Sequence, residues 1–173
     1  MMFYLTCIIY NGRVRISLRH YLLFMKILLQ KVSEARVEVE DKVIGQIGAG
    51  ILLFLGITHE DTEKDVDFLV DKVLNLRIFK NEEEEKYFDK SVLDISGDIL
   101  VVSQFTLYGK TDKGRRPSFV EAAKPEEAER LYNLFVQKIR EKSGLRVETG
   151  QFQAMMQVHL VNDGPVTLVI RSQ

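Results

Sequence analysis

Residues 99–107, Ile-Leu-Val-Val-Ser-Gln-Phe-Thr-Leu, restrict what this chain can fold into more than any other stretch. Four successive apolar residues, two of them valine, read as a short strand buried on both faces, since a half-exposed strand would alternate with polar residues. A strand of that kind needs a sheet covered on both sides. It runs directly into Ser103, Gln104 and Thr106, with Phe105 between them. A buried polar group left without a partner costs about 1–3 kcal/mol. Two readings therefore stand: a strand end whose hydroxyls cap the next loop, or the rim of a site whose polar groups and backbone N–H donors face a ligand.

The stretch Asn162-Asp163-Gly164-Pro165-Val166-Thr167 favours the rim. It follows a strand-like run, residues 158–161, and leads into another at 166–170. Asn-Asp-Gly-Pro is dense turn chemistry, which predicts a strand-to-strand corner at Gly164 and Pro165. An X-Pro bond in a tight turn is one of the few places where a cis peptide is tolerated.

These two stretches resemble the two signature motifs of D-aminoacyl-tRNA deacylases. Arg116-Pro117-Ser118-Phe119 resembles the family's Arg-Pro-Ser-Phe segment. Residues 150–158, Gly-Gln-Phe-Gln-Ala-Met-Met-Gln-Val, resemble its Gly-x-Phe-x-Ala-x-Met-x-Val strand. The similarity runs from about Met25 to the C-terminus, in the family's order and spacing. Two rare motifs with two supporting ones make the match specific.

A length of 173 residues suits one domain with a substantial core. With 24 basic and 25 acidic residues, the whole-molecule field does not attract nucleic acid, so any RNA must bind a local basic patch. Cys7 is the single cysteine. It excludes an intramolecular disulfide or a cysteine-rich zinc site and suits a reducing, cytoplasmic setting. Residues 1–24 differ from the rest. The apolar run 3–10 is too short to span a bilayer. Arg13, Arg15 and Arg19 follow that run rather than precede it, the reverse of a secretory signal. Met25-Lys26-Ile27-Leu28 reads as a protein start, so residues 1–24 are expected to be an extension arising from an upstream start codon, and 25–173 a single deacylase domain.

Strand patterns cover residues 26–47, with a turn at Asp41-Lys42, and the apolar run 51–57 is a second buried strand. Asp61-Thr62-Glu63 opens a helix reaching about Arg77, striped by Val66, Leu69, Val70, Val73, Leu74 and Leu76. Glu82 to Glu85 read as a solvated loop, because consecutive carboxylates cannot all converge on one ion. Pro125-Glu126-Glu127 starts a second helix, which Ser143-Gly144 ends. Residues 145–149, 152–161 and 166–172 read as strands. The fold class is α+β: a mostly antiparallel sheet with two main helices packed outside. The resemblance implies a curved sheet or barrel, assembled as a homodimer with active sites at the subunit interface.

No nucleophile elbow, P-loop or dinucleotide fingerprint is present. His20, His59 and His159 lie far apart and lack metal-ligand spacing. Neither metal nor cofactor is expected, and the chain carries no membrane span. The resemblance implies hydrolysis of the ester joining a D-amino acid to the acceptor end of tRNA. Its catalytic rim would be Ser103, Gln104, Phe105 and Thr106. Thr106 occupies the position assigned as nucleophile in one account of the family, but a neutral threonine without an adjacent base is a poor nucleophile. The other account, in which the ribose 2′-hydroxyl helps activate water, suits these residues better. Gly164-Pro165 would be a cis peptide reaching into the partner's pocket, its carbonyls excluding L side chains; glycine, lacking a side chain, would also pass. Phe152 and Met156 would be wall residues. In the family an arginine orients the Gly-Pro turn, and Lys31 stands in its place. Lys110, Lys113, Arg115 and Arg116, directly after the rim, form the best phosphate patch. The alternatives are an editing module that serves a synthetase by removing a wrong L-amino acid, and a non-enzymatic nucleic-acid-binding protein.

Overall fold

The computed structural model describes residues 24–173, together with the backbone of an antiparallel pair, β1 (Cys7–Tyr10) and β2 (Arg13–Ile16). The expectation about residues 1–24 falls almost wholly outside the described part.

Strand β3 (Lys26–Val39) is the spine of the sheet. It pairs antiparallel with β4 (Lys42–Ile47), β5 (Gly50–Gly56) and the long β10 (Gln157–Arg171). Beyond β5 the sheet becomes parallel: β8 (Asp98–Ser103) lies beside β5, and β9 (Val147–Thr149) beside β8. The result is a mixed sheet that nearly closes into a barrel, in the path β10-β3-β5-β8-β9. Both parallel steps use a helical crossover, as parallel pairing requires. Helix α1 (Glu63–Asn75) lies in the first and α2 (Pro125–Ser143) in the second. A small hairpin, β6 (Phe79–Asn81) and β7 (Lys86–Lys90), carries the glutamate run at its tip.

The double burial expected of residues 99–102 is present, and the alternation explains it. Ile99 and Val101 face the helices, packing with Val66, Leu69 and Phe135. Leu100 and Val102 face the inside of the curved sheet, with Val32, Val37 and Leu52. Strand β8 thus joins two cores. Helix α1 is held at its start by Asp65, whose carboxylate accepts the Thr62 N–H and hydroxyl, each at 2.8 Å. Helix α2 begins on Pro125 and stops at Gly144, whose φ of 63° is left-handed and therefore suits glycine.

Two expectations need correction. Residues 152–156 are not a strand: they form a turn in which Gln153 has φ 59°, and the strand begins at Gln157. Nor do Gly164 and Pro165 sit at a corner between two strands. Asn162 pairs with Val32 and Thr167 with Gln30, so the chain leaves the β3 ladder, makes an exposed excursion and rejoins the same neighbour. The excursion is braced from within. Asn162 donates to Thr167 Oγ1 at 2.7 Å and accepts the Val166 N–H at 3.2 Å.

Candidate active site

Strand β8 ends at Ser103, after which the Gln104 N–H donates to the Leu55 carbonyl at 2.8 Å. Past this pin the backbone closes into a 3-10 turn, Phe105–Tyr108. The turn is anchored from beneath by Tyr108, whose buried hydroxyl donates to the carbonyls of Phe24 at 2.6 Å and Gly56 at 3.3 Å. It stands over a cavity of about 870 Å³. Ser103, Gln104, Phe105 and Thr106 line that cavity together with Phe152 and Met156, so the structure gathers all six at one place. They come from different sources: four from the end of β8, two from the turn before β10.

The cavity is mainly apolar. Leu55 and Ile57 continue from β5, and Ala123, Pro125 and Ala128 are contributed by the start of α2 and the residues before it. Among the described residues, no ionisable side chain lines it. The polar groups converge on the 3-10 turn. Gln104 Nε2 donates to Thr106 Oγ1, which occupies a lone pair of that hydroxyl and fixes its direction. The N–H groups of Phe105 and Thr106, first in the turn, make no hydrogen bond among the described residues. Opposite them Phe119 meets Phe105 edge to face, with centroids 5.1 Å apart and planes at 73°. Phe152 rests on Tyr132 of α2, centroids 5.9 Å apart. The Tyr132 hydroxyl, its pKa pushed up by burial, donates to the Val101 carbonyl at 2.8 Å.

The basic segment leaves the rim between the two phenylalanines. Lys110 and Ser118 exchange backbone hydrogen bonds of 2.8 and 2.9 Å, closing the base of an exposed loop. Lys110 forms an ion pair with Glu121. Lys113, Arg115 and Arg116 are exposed and have no acidic partner among the described residues.

Gly164 and Pro165 do not line the cavity of their own chain. Their peptide bond is cis, and both residues are exposed. Lys31 holds the base of their excursion through an ion pair with Asp163 at 2.8 Å, while its ammonium lies 5.6 Å from the Phe79 ring centroid. His159 points away from the cavity, on the exposed face of β10, 3.4 Å from Glu38.

Several lining residues carry no sequence signal. Ala122, Ala123 and Ala128 enter only because the second crossover passes the cavity mouth, and alanine reads as ordinary helix. Met155 lies within the segment 150–158 already singled out in the sequence, and it is 93% exposed at the cavity.

With this geometry in hand, known proteins give it a context. A family model described as D-Tyr-tRNA(Tyr) deacylase matches residues 28–171. A D-aminoacyl-tRNA deacylase of Brevibacillus brevis is 60% identical over 148 residues, which are 86% of this chain and the whole of that relative. A solved structure named c-Myc DNA unwinding element binding protein superposes with a TM-score of 0.80 at 44% identity, covering 86% of this chain and 99% of its own. A probable eukaryotic D-amino acid tRNA deacylase shares the fold at 20% identity, with a TM-score of 0.77 over 86% of this chain and all of its own. By the extent of the family match and the identity with these relatives, the chain belongs to the D-Tyr-tRNA(Tyr) deacylase family.

Proposed function

We propose that the protein hydrolyses the ester between a D-amino acid and the acceptor end of tRNA, sparing L-aminoacyl-tRNA and also accepting mischarged glycyl-tRNA. The observation that carries this reading is a cavity with polar groups at one rim and, among the described residues, no ionisable side chain in its lining. Among the described residues such a site has no general base of its own, and it suits a substrate that is already activated. An aminoacyl ester is one, and its ribose 2′-hydroxyl helps activate the attacking water. The protein's part is to hold the ester and to stabilise the developing oxyanion with the Phe105 and Thr106 N–H groups. Thr106 is oriented by Gln104 rather than deprotonated.

Selectivity then needs a second copy of the chain. Gly164-Pro165 is exposed and lies outside its own cavity, so a wall built from it must come from a partner. Strand β10 is a sheet edge carrying exposed Val161, Leu168 and Val169, the kind of surface a homodimer would cover. Lys31, through Asp163, supplies the support expected of the family's arginine, as a single point contact rather than a bidentate fork. A cytoplasmic setting accords with the tRNA substrate.

Single-turnover hydrolysis of matched D-, L- and glycyl-tRNA tests the reading. D-aminoacyl- and glycyl-tRNA should be cleaved and L-aminoacyl-tRNA spared; equal rates on D and L would overturn it. A Thr106→Ala variant should keep activity within about tenfold, one hydrogen-bonding group being worth about 0.5–1.5 kcal/mol. Complete loss in a folded protein would make Thr106 a nucleophile. Replacing Lys113, Arg115 and Arg116 together by alanine should weaken tRNA binding and flatten its salt dependence, by about 0.7–0.9 in the log–log slope for each phosphate no longer neutralised. Lys110→Ala should change that slope less, because Glu121 already neutralises this lysine.

A further inference from the structure

Where β3 begins, several buried polar groups surround one backbone nitrogen, that of Met25. The Met25 side chain is fully buried, and its carbonyl accepts the Ser172 N–H at 3.0 Å. Its own N–H is directed at the carboxylate of Asp61. Asp61 is only 7% exposed and takes the Thr58 N–H at 2.7 Å. Burial raises its pKa to about 7; Asp65 of α1 adds repulsion, and Lys26 of β3 offsets little. The Lys26 ammonium instead lies over the Tyr108 ring at 4.2 Å, near Arg171, Glu121 and Lys110. The Tyr108 hydroxyl reaches the Phe24 carbonyl, on the peptide that ends at the Met25 nitrogen. Finally, Ser172 is buried and its hydroxyl faces the Asp65 carboxylate.

An amide nitrogen offers these oxygens one hydrogen and no charge. An α-ammonium offers three hydrogens and a full positive charge. We infer that Asp61, with Ser172 and Tyr108 beside it, forms a binding site for the α-ammonium group of a chain that begins at Met25, with Asp61 as its buried counter-ion. The length of the relatives accords with this: the Brevibacillus protein corresponds, over its whole length, to 86% of this chain. The site would tie the residue before β3 to the turn that leads into α1 and to the residue after β10, beneath the 3-10 turn at the cavity rim.

The test begins with the whole reading frame expressed with its own upstream region, and intact-mass measurement of the purified product. A product beginning at Met25 is expected; one beginning at Met1 overturns the inference. The α-amine of the Met25 product is then titrated and labelled by reductive methylation. It should react at least tenfold more slowly than the amine of a free peptide and titrate above the ordinary value of about 8. Asp61→Asn should restore ordinary reactivity, and Ser172→Ala should do so in part. Free-peptide behaviour in the unaltered product overturns the inference, even if Asp61→Asn fails to fold. A pH series gives a second readout. With Met25 acylated by a preceding residue, folded Asp61 takes its proton near pH 7 and the unfolded chain only near 3.8. Stability then rises as pH falls through that window. With an ammonium partner Asp61 stays ionised, and that rise should vanish.

Discussion

A Gly164→Ala variant should stay folded and lose at least tenfold in hydrolysis of both D-aminoacyl- and glycyl-tRNA. Gly164 has φ 118°, a conformation that L residues rarely adopt, and a Cβ there would lie 3.0 Å from Val166 Cγ2 and 3.3 Å from Val166 N. Holding a non-glycine residue in such a region costs about 1–3 kcal/mol. The excursion is exposed and lies between two stretches of ladder, at Asn162 and Thr167, each separately paired to β3. The strain is therefore relieved by moving the tip rather than by unfolding the sheet. If the tip forms a wall of the partner's cavity, displacement near 1 Å at reacting groups is enough to cost about 100-fold, and the added methyl narrows the space for every substrate. Single-turnover assays on matched D-, L- and glycyl-tRNA decide the matter, with gel filtration reporting the dimer. Wild-type rates and selectivity in this variant would remove Gly164 from the cavity wall.

The cavity rim was legible because it breaks a rule. Residues 99–102 demand burial on both faces, and Ser103, Gln104 and Thr106 then appear where apolar residues should continue. Only partners or a ligand can reconcile the two. The helices were legible from their ends, Asp61-Thr62-Glu63 for the first and Pro125 with Gly144 for the second, where local chemistry determines the boundary. Residues 152–156 misled for a definable reason. Phe152, Ala154 and Met156 alternate in burial with Gln151, Gln153 and Met155, and that alternation is real. It arises in a turn over the cavity, and period-two burial does not require a strand's hydrogen bonds. The Asn-Asp-Gly-Pro stretch misled differently. Turn residues report that the chain leaves its ladder, but where it returns depends on β3, more than a hundred residues earlier. The parallel steps from β5 to β8 to β9 were likewise invisible, since each depends on a crossover helix packing back onto the sheet.

Tyr132 connects this packing to the site, and its truncation should have the largest effect on stability. Its side chain is 4% exposed on α2, beside Phe135 and the helix-facing residues of β8. Emptying a buried aromatic site costs about 3–5 kcal/mol, and each kcal/mol lowers the melting temperature of a chain this size by about 2–4 °C. Tyr132→Ala should therefore melt about 6–20 °C lower. Tyr132→Phe separates the hydrogen bond from the ring. The Val101 carbonyl that Tyr132 serves also accepts the Gly150 N–H at 3.0 Å, so removing the hydroxyl leaves no orphan and should cost only about 0.5–1.5 kcal/mol. The two variants should also part in activity. Phe152 leans on the Tyr132 ring from the cavity side, so the phenylalanine variant keeps the wall while the alanine variant lets it sag into the vacated space. Assayed well below both melting points, Tyr132→Phe should retain near-normal hydrolysis and Tyr132→Ala should lose about tenfold or more. Equal activity in the two would mean that Phe152 holds its place without Tyr132, and that the cavity wall is independent of the helix behind it.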